Sequence, residues 1–409
     1  MISSKSIIIN RLGFLKNYDI KINISHNYPE HYINNNYILL LNNIKNKVCN
    51  YDNWYTYRKL FTSLIFLNYY YNKENIGIFK KNVLSRSYFK MIEMHNDYNI
   101  CKMNLNTIKV AFIAEAPGGF IEAFNKIRIK YDDIYYGISL IDNNISNIPT
   151  WYNLKKKMKY NLNLKLLTGN DNSGNIYKLI NIFNFINNIG INSCDIVTAD
   201  GGFDFTNDYI NQEYNFTRLF FCEIILALNL QKLGGNFIIK CFDLTNILTI
   251  KIFYILCHYY EKIIITKLNT SRKTNSERYI ICKNFKSYVS PELMKKLYKI
   301  ILNWEYYIVN ENKLIDVFDF NINKCFINKL EEYNSWFFMK QLDIYNYIIN
   351  INNNINNIII NDIIKQIIIE NIEKSISFCK LNNIYINYDS YFINTNINII
   401  INTHFILNK

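Results

Sequence analysis

Four short clusters hold residue types that could do chemistry. The first, Glu115-Ala116-Pro117-Gly118-Gly119-Phe120, ends an apolar run and opens a helical one. Glycines at such a junction let a ligand approach the backbone, and a helix start offers unpaired N–H groups. The spacing is not G-x-G-x-x-G, so a dinucleotide is not indicated. A plain tight turn is the other reading. The second cluster, Thr198-Ala199-Asp200-Gly201-Gly202-Phe203-Asp204, ends another apolar run in an acid. Asp200 either faces a shared crevice or stabilises its own loop. The third is Lys240, set inside the apolar run NFIIKCFD. Burying an ammonium is costly unless it is paired or neutralised, and buried lysines are the ones whose pKa falls toward a general base. An edge lysine reaching back to solvent is the alternative. The fourth is Ser271-Arg272 followed by Asn275-Ser276-Glu277-Arg278-Tyr279. Taken alone, Glu277 reads as a solvated, inert acid at a strand start.

The surrounding pattern supplies the elements that must hold these residues. Strands are predicted over 108–117, 133–141, 194–200, 236–243, 262–268 and 277–285. Helical periodicity fills the intervals, notably over 217–235, where Gly234-Gly235 reads as a C-terminal stop. Strands alternating with helices predict a mostly parallel sheet covered on both faces. The last two strands, joined by a short loop, should pair antiparallel. Residues 52–74 read as an amphipathic helix, and 84–98 as a second, opened by a Ser that could cap it.

Composition narrows the classes. The chain has 409 residues and a formal charge of +13, from 46 Lys and Arg against 33 Asp and Glu. That balance permits an anionic partner, nucleic acid being the usual one. No window of about 18 apolar residues suggests a membrane span, and the N-terminus lacks a signal-peptide pattern. The expectation is a soluble intracellular protein, cytoplasmic or nuclear, or in a virion or viral factory if the source is viral. Nine scattered cysteines without C-x-x-C, and five scattered histidines, argue against a disulfide scaffold or a structural metal. Asn, Ile, Tyr and Lys are over-used while Pro (4) and Gly (12) are scarce, which makes the four clusters stand out.

Together with a fifth segment, SRSYFKMIE, these clusters resemble the FtsJ-like ribose 2′-O-methyltransferases, in order and over about 84–285. EAPGGF is similar to that family's methionine-binding turn, DIVTADGGFDF to the strand bearing an aspartate, GGNFIIKCFD to the strand bearing a lysine, and SRKTNSERYIICK to the segment bearing a glutamate. Within the superfamily, the stretch after Asp200, with Asn211-Gln212-Glu213, resembles the mRNA cap methyltransferases of eukaryotes and large DNA viruses. The resemblance implies an α/β, Rossmann-like fold with S-adenosyl-L-methionine as cofactor. It also implies a catalytic tetrad of Lys90, Asp200, Lys240 and Glu277, and cofactor contacts at Pro117, Gly118, Gly119, Phe120, Asp171 and Asp200. No metal is needed for the displacement.

The chemistry asks for such a set. A ribose hydroxyl is a poor nucleophile near neutral pH and needs a positioned base. Lys240 would serve if burial and the like charge of Lys90 depress its pKa, with Asp200 and Glu277 orienting the ammonium groups. The resemblance implies RNA as partner, capped mRNA above all, with 2′-O-methylation of ribosomal or transfer RNA, or a non-catalytic RNA-binding capping subunit, as the alternatives; other capping enzymes are candidate partners, and no membrane is expected. Lys155-Lys156-Lys157-Met158-Lys159 and Arg272-Lys273 would track phosphates or form solvated faces. Trp54, Trp151, Trp304 and Trp336 are candidates for stacking on a base. Three parts are expected: a mainly helical region over 1–80, the methyltransferase domain over 81–290, and a helical C-terminal extension over 291–409.

Overall fold

The protein is described from a computed structural model covering residues 6–13, 18–101, 106–142, 148–159, 161, 163–203, 205, 208–309, 311–354 and 358–405. Asp204, part of the second cluster, lies outside the described residues. The apolar runs form one eight-stranded sheet: β1 (Ile7–Asn10), β2 (Lys109–Ile113), β3 (Ile134–Ile138), β4 (Leu164–Leu167), β5 (Cys194–Ala199), β6 (Gln231–Cys241), β7 (Tyr260–Thr266) and β8 (Arg278–Phe285). Their spatial order is β1-β7-β8-β6-β5-β2-β3-β4. The five strands from β6 to β4 are mutually parallel. β8 runs antiparallel to both β6 and β7, the pairing expected of a short connection. This is the Rossmann-like arrangement.

Chain order reverses beside β2. The path runs outward through β3 and β4, then returns to place β5 on the other side of β2. Ligands of open α/β sheets bind at such a switch point, outside the carboxyl ends of the strands. Both clusters with Gly-Gly turns follow these two strands.

Helices cover both faces, so the inner strands are apolar throughout rather than alternating. One core packs the helices Leu179–Ile189, Gln212–Leu230, Ile247–Leu256 and Pro291–Tyr307 against the sheet. Every residue from Leu219 to Leu230 is buried, as expected of a helix that is apolar all round. The other core gathers Asn35–Cys49, Ser87–Tyr98, Gly119–Ile127 and Ile358–Leu381. The 30-residue helix Lys324–Asn353 contributes Phe326, Leu330 and Tyr333 to the first core and Phe337 through Ile351 to the second. Both flanking segments also contribute strands: β1 extends the sheet edge, and Asp19–Ser25 pairs with Lys313–Asp319. No described helix is long and apolar enough to cross a membrane.

Three local expectations change. The helix over 217–235 ends at Leu230, and Gln231 enters β6 at once. Its side-chain amide donates to Cys194 O (2.9 Å) and accepts from the Tyr260 hydroxyl (3.1 Å), which fixes it between strands. Gly234-Gly235 serve the register shift between β5 and β6; a Cβ on Gly235 would lie 2.6 Å from Asp195 O. The helix over 52–74 shrinks to Trp54–Leu60. Beyond it the Arg86 guanidinium takes the carbonyls of Leu64 (3.0 Å), Ile65 (3.3 Å) and Asn68 (3.3 Å), which a continued helix would need. Ser85 does not cap the Ser87–Tyr98 helix; its hydroxyl meets that of Ser87 at 2.5 Å.

Candidate active site

The sheet brings the four chemical residues to one edge. Asp200 follows β5, and Lys240 lies one residue before the end of β6. Because β8 is antiparallel, its amino end lies beside the carboxyl end of β6, with Tyr279 opposite Lys240 in register. That places Glu277, just before β8, at the same edge. Lys90 arrives from outside the sheet, on the first turn of the Ser87–Tyr98 helix. The helix is tied there by Glu93, whose carboxylate accepts from the N–H groups of Asn269 (2.7 Å) and Thr270 (2.9 Å) in the loop leading to Glu277.

The distances make one network. Lys90 Nζ lies 2.8 Å from Glu277 Oε1, and Lys240 Nζ lies 3.3 Å from Asp200 Oδ1. Lys240 also donates to the Asp200 carbonyl at 2.9 Å. Tyr279 joins the halves: its hydroxyl donates to Asp200 Oδ1 (2.7 Å) and accepts from Lys90 Nζ (3.3 Å). Ser271 Oγ donates to Glu277 Oε1 at 2.7 Å.

The electrostatics differ from the expectation for Lys240. Burial opposes its charge, but the carboxylates of Asp200 first and Glu277 next outweigh burial and hold the ammonium above the ordinary lysine value. Burial also opposes the Glu277 charge, and there Lys90, Lys240 and Lys267 overcome it, holding the carboxyl well below its usual range. Lys267, which donates to the Asn275 and Glu277 carbonyls (both 2.8 Å), is pushed by burial down to about 7.

The donor turn is built for close approach, with a distinct reason at each glycine. Gly118 has φ 106°, a left-handed conformation that favours glycine. A Cβ there would meet Leu154 at 2.7 Å, so the basic helix Tyr152–Lys157 stands directly beside the turn. A Cβ on Gly119 would lie 2.9 Å from Tyr88 N and against the Ser85 and Ser87 hydroxyls. Its bareness therefore serves the packing of the Gly119–Ile127 helix on the helix that carries Lys90. Pro117 follows a cis peptide bond, and the Phe120 ring is wholly buried, with its N–H given to Glu115 Oε1 at 2.7 Å. Gly118, Gly119 and Phe120 are buried, so the part of the turn left open is the half-buried backbone of Ala116 and Pro117, just beyond the end of β2.

Asp171 lies just beyond β4, at the same carboxyl edge and two strands from the turn. Its carboxylate accepts from Lys178 (2.7 Å), Ser173 Oγ (2.6 Å) and Asn181 Nδ2 (2.8 Å), and these donors hold it well below the usual range. Among the tryptophans, Trp151 and Trp304 are buried. Trp54 stays half-exposed, stacked on Tyr345 with Arg58 over its ring.

Tyr279, Glu93, Glu115 and Glu223 were not singled out for these roles. Tyr279, Glu93 and Glu115 stand inside the motifs quoted above, but with 34 tyrosines in the chain one more carries little signal. Glu115 and Glu223 become notable only once folding shows each buried with one carboxyl oxygen lacking a hydrogen-bond partner among the described residues.

Residues 83–285 match the family model described as FtsJ-like methyltransferase. Cap-specific mRNA (nucleoside-2′-O-)-methyltransferase 1 of Dictyostelium discoideum is 31% identical over 185 residues, covering 44% of this chain and 24% of that protein. Cap-specific mRNA (nucleoside-2′-O-)-methyltransferase 2 of Danio rerio is 30% identical, covering 47% of this chain and 26% of its own length. The African swine fever virus protein named Probable methyltransferase EP424R is 28% identical, covering 58% of this chain and 57% of that protein. The chain therefore spans about a quarter of the two cap methyltransferases and somewhat over half of the viral protein. Residues 83–285, with the sheet and the charged edge described above, form an FtsJ-like methyltransferase domain, whose methyl donor is S-adenosyl-L-methionine.

Proposed function

We propose that the chain methylates a ribose 2′-hydroxyl near the 5′ cap of mRNA, with Lys240 as general base within the Lys90-Asp200-Lys240-Glu277 set. The observation that carries the reading is the joined network of two ammonium groups and two carboxylates at the switch point, beside a bare glycine turn. The cap preference draws on the activities named for the relatives.

When bound, S-adenosyl-L-methionine supplies a methyl group on a positively charged sulfur. The chain's own residues then have three tasks. Asp200, steadied by the Tyr279 hydroxyl, orients the Lys240 nitrogen from one side. Lys90 and Glu277, joined by a short ion pair, close the other side and keep the ribose oxygen in line. Lys240 in its neutral form takes the hydroxyl proton. Because its ammonium is held above the ordinary value, the neutral form is a minor species near pH 7. The rate of methyl transfer should therefore climb with pH through the neutral and mildly alkaline range. Exposed Lys155 and Lys156 beside the donor turn, and Arg272 next to Glu277, would meet the RNA phosphates.

Transfer from labelled S-adenosyl-L-methionine to matched capped and uncapped RNAs tests this directly. Label mapped to a 2′-oxygen near the 5′ end of capped RNA alone supports the reading. Equal labelling of uncapped structured RNA overturns the cap preference. Lys240→Ala should abolish transfer while donor binding stays near wild type; lost donor binding would make Lys240 structural.

A further inference from the structure

One carboxyl in the donor turn is left over from this scheme. Glu115 directly follows Ala114 at the end of β2 and is 3% exposed. Its Oε1 accepts the Phe120 N–H at 2.7 Å, while its Oε2 is buried without a hydrogen-bond partner among the described residues. A buried carboxylate oxygen facing no donor is costly, whereas a neutral acid tolerates the same place. The groups facing Glu115 are Asp200 after β5, Lys240 on β6, Lys90 from its helix and Tyr279 on β8.

Charge bookkeeping within the tetrad is already closed. With Lys240 charged, its prevailing form near pH 7, two ammonium groups meet two carboxylates and no negative charge is left for an arriving sulfonium. Burial, and after it the Asp200 charge, push the Glu115 carboxyl well above the usual range, which favours its neutral form. Glu223 is the other buried carboxyl of this edge, but its Oε1 holds Gly201 N (3.2 Å) from beneath the Asp200 turn. Glu115 alone stands in the donor turn itself.

We propose that Glu115 is the charge-compensating residue of the donor site: neutral when the site is empty or holds the uncharged thioether product, and ionised, its proton released to solvent, when the sulfonium is seated. The proposal rests on the donor assignment above. It gives the site a means of telling donor from product, which differ by one methyl group and one positive charge. Discharge of the sulfonium would leave Glu115 to regain a proton, weakening the hold on donor relative to product as pH falls.

Calorimetric titration of the full chain tests it, with S-adenosylmethionine and S-adenosylhomocysteine each run in buffers of differing ionisation heat at one pH. The expected result is net proton release with the methionine compound and little with the homocysteine compound. Glu115→Gln should remove that difference and weaken the sulfonium ligand by roughly tenfold relative to the thioether. Glu115→Asp, which keeps an acid, should retain the release and guards against loss of fold in the first variant. Undiminished release in a Glu115→Gln protein that still binds the homocysteine compound overturns the proposal, as does release lost in Lys240→Met but kept in Glu115→Gln. Failure of the wild-type chain to bind either compound would overturn the donor assignment, and the proposal with it.

Discussion

At Tyr279 a single hydroxyl donates to Asp200 and accepts from Lys90, so the two ion pairs do not move independently. Tyr279→Phe removes both bonds with little change of shape. A hydrogen bond to a charged group contributes about 1.5–3 kcal/mol, and loss of that amount in the transition state lowers kcat by roughly 10- to 100-fold. Single-turnover methyl transfer would measure it, and donor affinity should change far less. Glu223 tests the buried charge economy by stability. Burial pushes its carboxyl well above the usual range, so the folded state keeps a proton that the unfolded chain has lost. That contribution is complete below the ordinary carboxyl pKa and disappears as pH rises through the raised value. Its slope is about 1.4 kcal/mol per pH unit per proton. Glu223→Gln should flatten the loss of Tm on raising pH through that window, and an unchanged pH profile would show that Glu223 is ionised in the fold. Neither residue was legible from the chain alone. Tyr279 was hidden among abundant tyrosines, and Glu223 sits in a helix whose burial on all sides is a tertiary fact.

Among the elements, those carrying Lys90, Asp200, Lys240 and Glu277 were largely legible because apolar runs end in residues that do not belong in them. A lysine in NFIIKCFD and an acid after CDIVTA mark strand ends at one edge. β4 is not legible because LKLL, at the sheet margin, is half-buried except for the exposed Lys165 and follows an Asn-rich stretch. The Gly234-Gly235 pair misled because glycine serves a bulge as readily as a helix stop. Gly119 shows the same ambiguity with a functional consequence. Its missing side chain admits the Lys90 helix, so Gly119→Ala should act on packing before it acts on ligand. Overpacking at such a contact costs about 1–3 kcal/mol. Denaturant midpoints should fall accordingly, with kcat falling as Lys90 is displaced. A stable variant that loses only donor affinity would instead make Gly119 a ligand contact.

On the scale of the whole molecule, the matched segment 83–285 does not contain all of its own core. Arg278, fully buried at the start of β8, donates to Asn334 Oδ1 at 2.7 Å on the Lys324–Asn353 helix. Asn334 in turn donates to the Leu244 carbonyl at 3.1 Å. Asn334→Leu would leave that guanidinium short of an acceptor and should cost about 1.5–3 kcal/mol, read as a lower unfolding midpoint with a larger loss near the site than at β1. Nothing in the sequence joined residues 334 and 278. Their contact depends on a long helix crossing from one core to the other, which periodicity predicts as a helix but cannot direct to a face.

The most direct test of the central claim is the pH dependence of single-turnover methyl transfer to capped RNA at saturating S-adenosylmethionine. For the wild type, a rate that climbs from neutral into alkaline pH, together with its absence in a Lys240→Ala variant that still binds the donor, is the predicted result. A rate independent of pH, or transfer retained by Lys240→Ala, would contradict Lys240 as the base.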